Sequence, residues 1–510
     1  MKASSSLTAA QYRGLALQAL QSGEAEQAAE LLRKATSLEP DNVGLLHDLA
    51  ECQWADYQFD PALESYEAAL RIASEPVATC VAAAKRLFGI GGFGESARWL
   101  QRAVTHSRRN AALLTMLAEV CERGNQLDDA ERRGSEALAL EPANVKAVRL
   151  MAHIERRRGQ LDAARERLAS HLARFPGSDD WRLRHELAAV LDRLGEYDAA
   201  MRELLLAKEQ LQSVAAPALA QARAICRRQT EVAQLLGRED YEAWRNTRTA
   251  FTREVPIAFL CGHPRSGTTL LEQILDAHEG AIGTDETGIL AREFIEPLVR
   301  SPSSAAESVA ALREFDAGQI AQGRAAYLRF TGAHLGEEVG SRVLVEKDPM
   351  LTPDLPLPLR LFPEGKIIFP LRDPRDVCVS YFFTLLPLGA SSAAAIDLRS
   401  TCEFCAHSLA MWAHWKNALP FPWLEVRYEA LVTEPGRETR RLMAFLNLPW
   451  HEQLLAFHER ARTKEIRTPT YADAGQPLYQ RAVGRWKNYE KYLAPHMDVL
   501  RPHLREFGYE

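Results

Sequence analysis

No run in the 510-residue sequence approaches the roughly 18 consecutive apolar residues of a membrane span. The amino terminus, MKASSSLTAAQYRGL, lacks the apolar core of a secretory leader. Basic charge is not in excess either. The 62 Lys and Arg residues stand against 68 Asp and Glu, for a net charge of −6. A general nucleic-acid binder carries the opposite balance. Eight cysteines lie scattered from Cys52 to Cys405 without framework spacing, so reduced thiols are expected. A metal-ligand pattern is missing as well. Cys402 and Cys405 form C-E-F-C near His407, but no second pair accompanies them. His451-Glu452 opens like a zinc-protease motif, yet Leu455 stands where the second histidine belongs. These absences lead to the expectation of a cytoplasmic protein with no metal, no nucleic-acid partner and no membrane partner.

What is present is a repeat. The segments SGEAEQAAELLRKA, ADYQFDPALESYEAAL, GGFGESARWLQRAV, GNQLDDAERRGSEAL, RGQLDAARERL and LGEYDAAMRELLLA align on one alanine each: Ala28, Ala62, Ala97, Ala130, Ala164 and Ala200. The intervals are 34, 35, 33, 34 and 36 residues, close to the tetratricopeptide period. Ala50, Ala118, Ala152 and Ala188 lie twelve residues before a marker alanine, where a small side chain lets two helices approach closely. Gly23, Gly159 and Gly195 fall at the turn between helices. Pro40, Pro142 and Pro176 fit a stop after the second helix, Pro76 is displaced by two, and Arg109 does not fit. Six repeats are expected over residues 8–212, with a helical linker or cap over 213–254. Solenoids of this kind bind peptides or protein partners.

The second half, 255–510, reads as α/β. Pro256–Cys261 is a short apolar run suited to a buried strand. GHPRSGTT follows, then Leu270, Leu271, Ile274 and Leu275 on one helical face. Strand, glycine turn and helix together make an anion site, because backbone N–H groups converge where the helix dipole favours negative charge. Gly262 and Gly267 have the spacing of the nucleotide-triphosphate loop, but Thr268 stands at its lysine position. Arg265 supplies the cation from within the loop. A second motif, KIIFPLRDPRDVCVSYFF, predicts a strand over Lys366–Leu371 ending at Arg372. A helix follows, capped by Asp373-Pro374 and carrying Ser380. Another strand end is expected at VLVEKDP (Val343–Pro349), and a fourth strand leading into a helix at VRYEALVTEP (Val426–Pro435).

HPRSGTTLLEQIL resembles the 5′-phosphosulfate loop of sulfotransferases, in the arginine form of the tyrosylprotein and carbohydrate enzymes. The arginine and serine of LRDPRDVCVS resemble their 3′-phosphate motif. The resemblance covers residues 255–510 and implies 3′-phosphoadenosine-5′-phosphosulfate as co-substrate. It implies that Arg265, Ser266, Gly267, Thr268 and Thr269 hold the 5′-phosphosulfate. It further implies that Arg372, Ser380 and Arg485 hold the 3′-phosphate, with Tyr428 facing the adenine. Glu286, 21 residues after Arg265 in GTDETGIL, matches the family's general base, with Asp285 as the neighbouring alternative. Lys347 in EKDP matches the lysine that stabilises the bridging oxygen. Thr468 or Thr470, in IRTPTY, matches a hydroxyl near the sulfate. Two positions depart from the family. Gly288 replaces an arginine that reads acidic peptides in tyrosylprotein sulfotransferases, and Ala482 replaces a serine of many bacterial relatives.

The resulting expectation is an all-α tetratricopeptide solenoid followed by an α/β P-loop-like domain with a parallel sheet flanked by helices. The expected activity is sulfuryl transfer to a hydroxyl acceptor, such as a protein or peptide side chain recruited by the repeats. Residues 291–342 and 384–400 are expected to line the acceptor pocket, and pairing into a homodimer is a second role open to the solenoid. Two rival readings are a scaffold with a nucleotide-binding but non-catalytic domain, and a P-loop kinase or NTPase. Retention of Glu286 and Lys347 argues against the first, and Thr268 in place of lysine against the second.

Overall fold

A computed structural model describes residues 7–107, 109–175, 177, 180–246, 254–390, 392–461, 467 and 476–510. The first half is built from helix pairs: α1 and α2 (Ala9–Gln21, Ala25–Leu38), α3 and α4 (Val43–Ala55, Phe59–Ile72), and α5 and α6 (Pro76–Gly89, Phe93–His106). Next come α7 and α8 (Ala111–Arg123, Leu127–Leu140), α9 and α10 (Val145–Arg157, Leu161–Arg174), and α11 and α12 (Asp180–Leu194, Tyr197–Leu235). This is an all-helical tetratricopeptide-like solenoid.

Each pair turns through one residue with left-handed backbone. These residues are Gly23, Tyr57, Gly91, Asn125, Gly159 and Gly195, with φ between +60° and +85°. Their spacing is 34 residues four times and then 36. Small buried side chains keep the same step. Ala28, Ala62, Ala130, Ala164 and Ala200 are buried, with Ala16, Ala50, Ala84, Ala118, Ala152 and Ala188 buried twelve residues before each repeat's marker. The third marker is Ser96 rather than the expected Ala97. Ser96 is buried while Ala97 is only half-buried, and the Ser96 hydroxyl donates to the Ala84 carbonyl at 2.8 Å. Pro76 opens α5 at its first turn, where its missing N–H costs nothing, instead of ending α4. Pro176 lies outside the described residues.

The chain divides into two compact units, residues 1–154 with 333–337, and residues 155–332 with 338–510. The second unit contains α10, α11 and α12. The 39-residue α12 runs uninterrupted through position 212, where sequence reasoning placed the end of the repeats. After α13 (Arg238–Asn246) comes a five-stranded, wholly parallel sheet in the order β2-β3-β1-β4-β5. Its strands are β1 (Ile257–Leu260), β2 (Ala281–Gly283), β3 (Val343–Lys347), β4 (Lys366–Leu371) and β5 (Trp423–Arg427). The three-residue β2 was not anticipated. The strand expected to open at Val426 opens three residues earlier, at Trp423, and ends at Arg427.

The helices that flank and connect these strands follow in chain order. They are α14 (Thr268–Asp276), α15 (Ala305–Glu314), α16 (Ala317–Leu335), α17 (Pro356–Leu361), α18 (Pro374–Phe382), α19 (Leu398–Ala418), α20 (Tyr428–Thr433) and α21 (Pro435–Leu446). Alternation along each strand feeds two cores. Ala258, Leu260, Val343, Val345, Ile368 and Val426 cluster with Leu271, Ile274 and Leu275 of α14 and with Leu442, Met443 and Leu446 of α21. On the opposite face Phe369 stacks on Trp412 of α19 at 4.4 Å, and Phe259 meets Phe362 at 6.3 Å. A parallel sheet covered on both faces reads as continuous apolar runs, as AFL and IIF do.

Gly159→Ala tests the need for left-handed turns. Its φ is +78° and nothing lies within 4 Å of an added Cβ, so backbone strain alone opposes the substitution. The expected loss is about 1 kcal/mol, read as a lower urea midpoint. An unchanged or higher midpoint would show that the turn tolerates a right-handed residue.

Candidate functional site

The parallel sheet delivers every strand's carboxyl end to one edge, where ligands of such folds bind. Lys347 is the last residue of β3. Arg372 follows β4, Tyr428 follows β5, the loop 262–267 follows β1, and Asp285 and Glu286 follow β2. Of the residues singled out in sequence, nine thus arrive at one edge, and Thr268 and Thr269 open α14 beside them. Ser380 lies in the last turn of α18.

Gly267 is the N-cap of α14, with φ +110°. A Cβ there would come within 2.9 Å of Tyr428 Cδ2, so only glycine fits between the loop and that ring. The first-turn N–H groups of a helix such as α14 have no acceptor within the helix. Ser266 Oγ is buried without a hydrogen-bond partner among the described residues. Arg265 is left-handed, with φ +77°, and its Nε donates to Ser380 Oγ at 3.0 Å. The two expected phosphate motifs therefore meet directly. Arg372 Nη1 donates to the Arg265 carbonyl at 2.9 Å and Nη2 to the Ala482 carbonyl at 2.6 Å. Its guanidinium stacks 4.6 Å from the Tyr428 ring centroid, and its buried Nε has no partner among the described residues.

Arg485 sits differently. Its Nε and Nη2 reach Asp192 Oδ1 of α11 at 3.2 and 3.0 Å, and the Tyr489 hydroxyl donates to the same oxygen at 2.6 Å. Its guanidinium lies 4.8 Å from the Phe383 ring. The flanking backbone is held from the other side. Asp376 of α18 accepts from Gly484 N–H at 2.7 Å and Trp486 N–H at 2.8 Å. Lys491 and Tyr492 both donate to Asp198 of α12. Sequence reasoning missed Asp192, Asp198 and Asp376. Gly288, the position that departs from the family, is left-handed at φ +66°.

At the β3 end, Lys347 is 0% exposed and carries three carboxylates: Glu286 Oε1 at 2.8 Å, Glu272 Oε2 at 3.2 Å and Asp285 Oδ1 at 3.8 Å. Burial works to lower the Lys347 pKa, but Glu272, Glu286 and Asp285 together raise it above the usual lysine range. Glu272, on α14, was also missed. Asp285 and Glu286 are consecutive left-handed residues, with φ +53° and +56°, a conformation uncommon and costly for residues other than glycine. Glu272 Oε1 accepts the Asp285 N–H at 2.7 Å and so pins that turn. Glu286 is the reachable carboxylate of the three, with its side chain 33% exposed against 9% for Asp285 and 0% for Glu272. Asp285 Oδ2 is taken by the Arg467 N–H at 2.7 Å. Thr468 and Thr470 lie outside the described residues.

Two other expectations concern the surroundings. Cys402 and Cys405 are buried in α19 beside the buried Cys378 of α18. His407 pairs with Gln229 of α12 at 3.0 Å. The segments 291–342 and 384–400 contain a π-helical stretch (Ala291–Arg300), α15, α16, a 3-10 turn (Ala393–Ile396) that packs on α12, and the start of α19.

A family profile described as "Sulfotransferase family" matches residues 256–452, and one described as "Tetratricopeptide repeat" matches residues 19–83. A putative protein-tyrosine sulfotransferase of Caenorhabditis briggsae is 30% identical over 258 residues, spanning 50% of this chain and 89% of that one. Protein-tyrosine sulfotransferase 1 of Danio rerio is 26% identical over 283 residues, spanning 52% and 75%. An uncharacterized protein of Aquifex aeolicus is 30% identical over 252 residues, 48% of this chain but 32% of that one.

Burial pushes the carboxyl of Glu346 up to about 7 and that of Asp348 up to about 6. An acid whose folded pKa is raised binds its proton more tightly in the folded chain. Its stabilising contribution is present below the unfolded value and lost as pH rises to the folded one. The thermal midpoint should therefore fall between about pH 4.5 and about pH 7. Glu346→Gln, which keeps a partner for the Tyr327 hydroxyl now 2.6 Å from Glu346 Oε2, should flatten that fall. The same slope in the variant would assign the titration to other groups.

Proposed function

The chain belongs to the sulfotransferase family, and on that footing we propose that it moves a sulfuryl group from 3′-phosphoadenosine-5′-phosphosulfate to a hydroxyl acceptor. The observation that carries this reading is the meeting of two anion-binding elements at one sheet edge, the loop after β1 and the start of α18, joined by the Arg265–Ser380 hydrogen bond. The residues present suit the co-substrate. Ser266 Oγ and Arg372 Nε are buried polar atoms without partners among the described residues, and the glycine at 267 lets the loop close onto the Tyr428 ring.

When bound, the co-substrate supplies the sulfuryl group and a phosphate leaving group. The chain's own residues supply the rest. Arg265, Ser266, Thr268, Thr269 and the α14 N-terminus would hold the 5′ end. Arg372 and Ser380 would hold the 3′-phosphate, and Arg485 would join them through the guanidinium nitrogen that Asp192 leaves unused. The Tyr428 ring offers a face for the base. Glu286 would take the acceptor's hydroxyl proton, since it is the accessible carboxylate beside Lys347. Lys347 would place positive charge where the leaving oxygen becomes more negative. Little covalent work falls to the protein, as in phosphoryl transfer.

Protein-tyrosine sulfotransferases are among the relatives, and helical repeats bind peptides, so a protein or peptide hydroxyl is the proposed acceptor class. Among the described residues no helix is long and apolar enough to cross a membrane.

Binding of 3′-phosphoadenosine-5′-phosphate should greatly exceed binding of ATP, and Arg372→Ala should weaken it by several kcal/mol through loss of a charge-assisted contact. Equal calorimetric affinity for the nucleotide with and without its 3′-phosphate would sink the assignment. Transfer should survive excess EDTA, whereas a strict magnesium requirement would favour a kinase. Glu286→Gln should lower turnover by roughly 10²–10⁴ while nucleotide affinity stays near wild type. Wild-type turnover in that variant would move the base to Asp285.

A further inference from the structure

Lys347 is neutralised from two directions. Glu286 reaches it from the partly exposed side, and Glu272 reaches it from within the core at 3.2 Å, itself 0% exposed. A wholly buried ammonium left without a counter-charge is strongly destabilising. If Glu286 were the sole partner, turning toward an acceptor hydroxyl would strand Lys347. Glu272 removes that conflict. It also fixes the geometry of Glu286, because its other oxygen accepts the N–H of Asp285 in the strained left-handed turn. The fit is close. A Cβ on Gly283, at the end of β2, would come within 2.9 Å of Glu272 Cγ.

We propose that Glu272 is a positioning residue for the transfer reaction: it holds the Lys347 charge and the Glu286 turn so that Glu286 is free to act as base. This rests on the sulfotransferase reading above. The groups facing Lys347 and Glu286 are Glu272 from α14, Asp285 from the same turn as Glu286, Glu346 just before Lys347 on β3, and Asp348 just after the strand ends. Arg300 lies beyond Asp348. Of these, Glu272 and Asp285 lie within 4 Å of the ammonium besides Glu286, and Asp285 is also engaged by Arg467.

The test is Glu272→Gln in the full chain. Glutamine keeps an oxygen for the Asp285 N–H but removes the charge, so the ammonium falls to Glu286 and makes it a weaker base. Turnover should drop about tenfold, and the acid limb of the kcat/KM profile should move down by about one pH unit. Affinity for 3′-phosphoadenosine-5′-phosphate should remain at the wild-type value. A lowered thermal midpoint with an unmoved acid limb would mean a structural role only, and would overturn the proposal. In case Glu272→Gln fails to fold, the double variant Glu272→Gln/Lys347→Met removes both buried charges together. Its turnover should match that of Lys347→Met alone. A further tenfold loss in the double variant would show that Glu272 acts apart from Lys347, and would also overturn the proposal. Absence of sulfuryl transfer by the wild-type protein would instead overturn the underlying reading, which keeps the two failures distinct.

Discussion

Taking a lysine ammonium wholly out of water costs several kcal/mol unless opposite charge meets it with good geometry. Lys347 meets that condition at the last residue of β3, and meeting it ties three separate parts of the chain together. Glu272 comes from the helix after the phosphate loop, while Asp285 and Glu286 come from the turn after β2. The turn accepts two consecutive left-handed residues, and such strain persists only where the surroundings over-determine it. Here the surroundings are the ion cluster itself. The loop after β1, the α14 helix and the β2 turn are therefore not independent elements. Displacing any of them would leave charge buried and unpaired.

The arginine side of the site obeys a softer rule. Arg372 is braced by two backbone carbonyls and by the Tyr428 ring, which leaves one buried nitrogen without a partner among the described residues. A guanidinium held this way has lost most of its rotational freedom before any anion arrives. Arg265 is held similarly by Ser380. The lysine is met by carboxylates, whereas Arg372 is met by carbonyls and a ring.

Much of this was legible in the sequence, for reasons that differ by element. The solenoid was legible because its signal is redundant. Six pairs bury a small residue at the same step, so taking Ala97 for Ser96 left the count of repeats intact. The phosphate loop was legible because its glycines stand between an apolar run and an amphipathic helix. Glu272 was not, because LLEQILD reads as an ordinary helix until Lys347 arrives from residues far along the chain. Its clue was a carboxylate one position from Leu271 and two from Ile274, on the face that turns inward. At three residues β2 is too short to show any period. Strand β5 begins with the exposed Trp423 at the sheet's edge, which hid its true start. Asp192 offered no local sign at all, since its partner Arg485 lies 293 residues away.

The long α12 and the carboxylates Asp192 and Asp198 bind the last helix pair to the C-terminal segment that carries Arg485. Arrays of repeats ordinarily gain and lose units with ease, since each unit contacts only its neighbours. In this chain that freedom is polarised. The helix pairs before residue 155 contain none of the residues named for the proposed site, so they can be duplicated, deleted or exchanged between lineages. The final pair cannot, because a crossover inside it would separate Asp192 from Arg485 and cut α12 in two. Descent of the last repeat is thus linked to that of the transferase, while the rest of the array is free to diverge at its own pace.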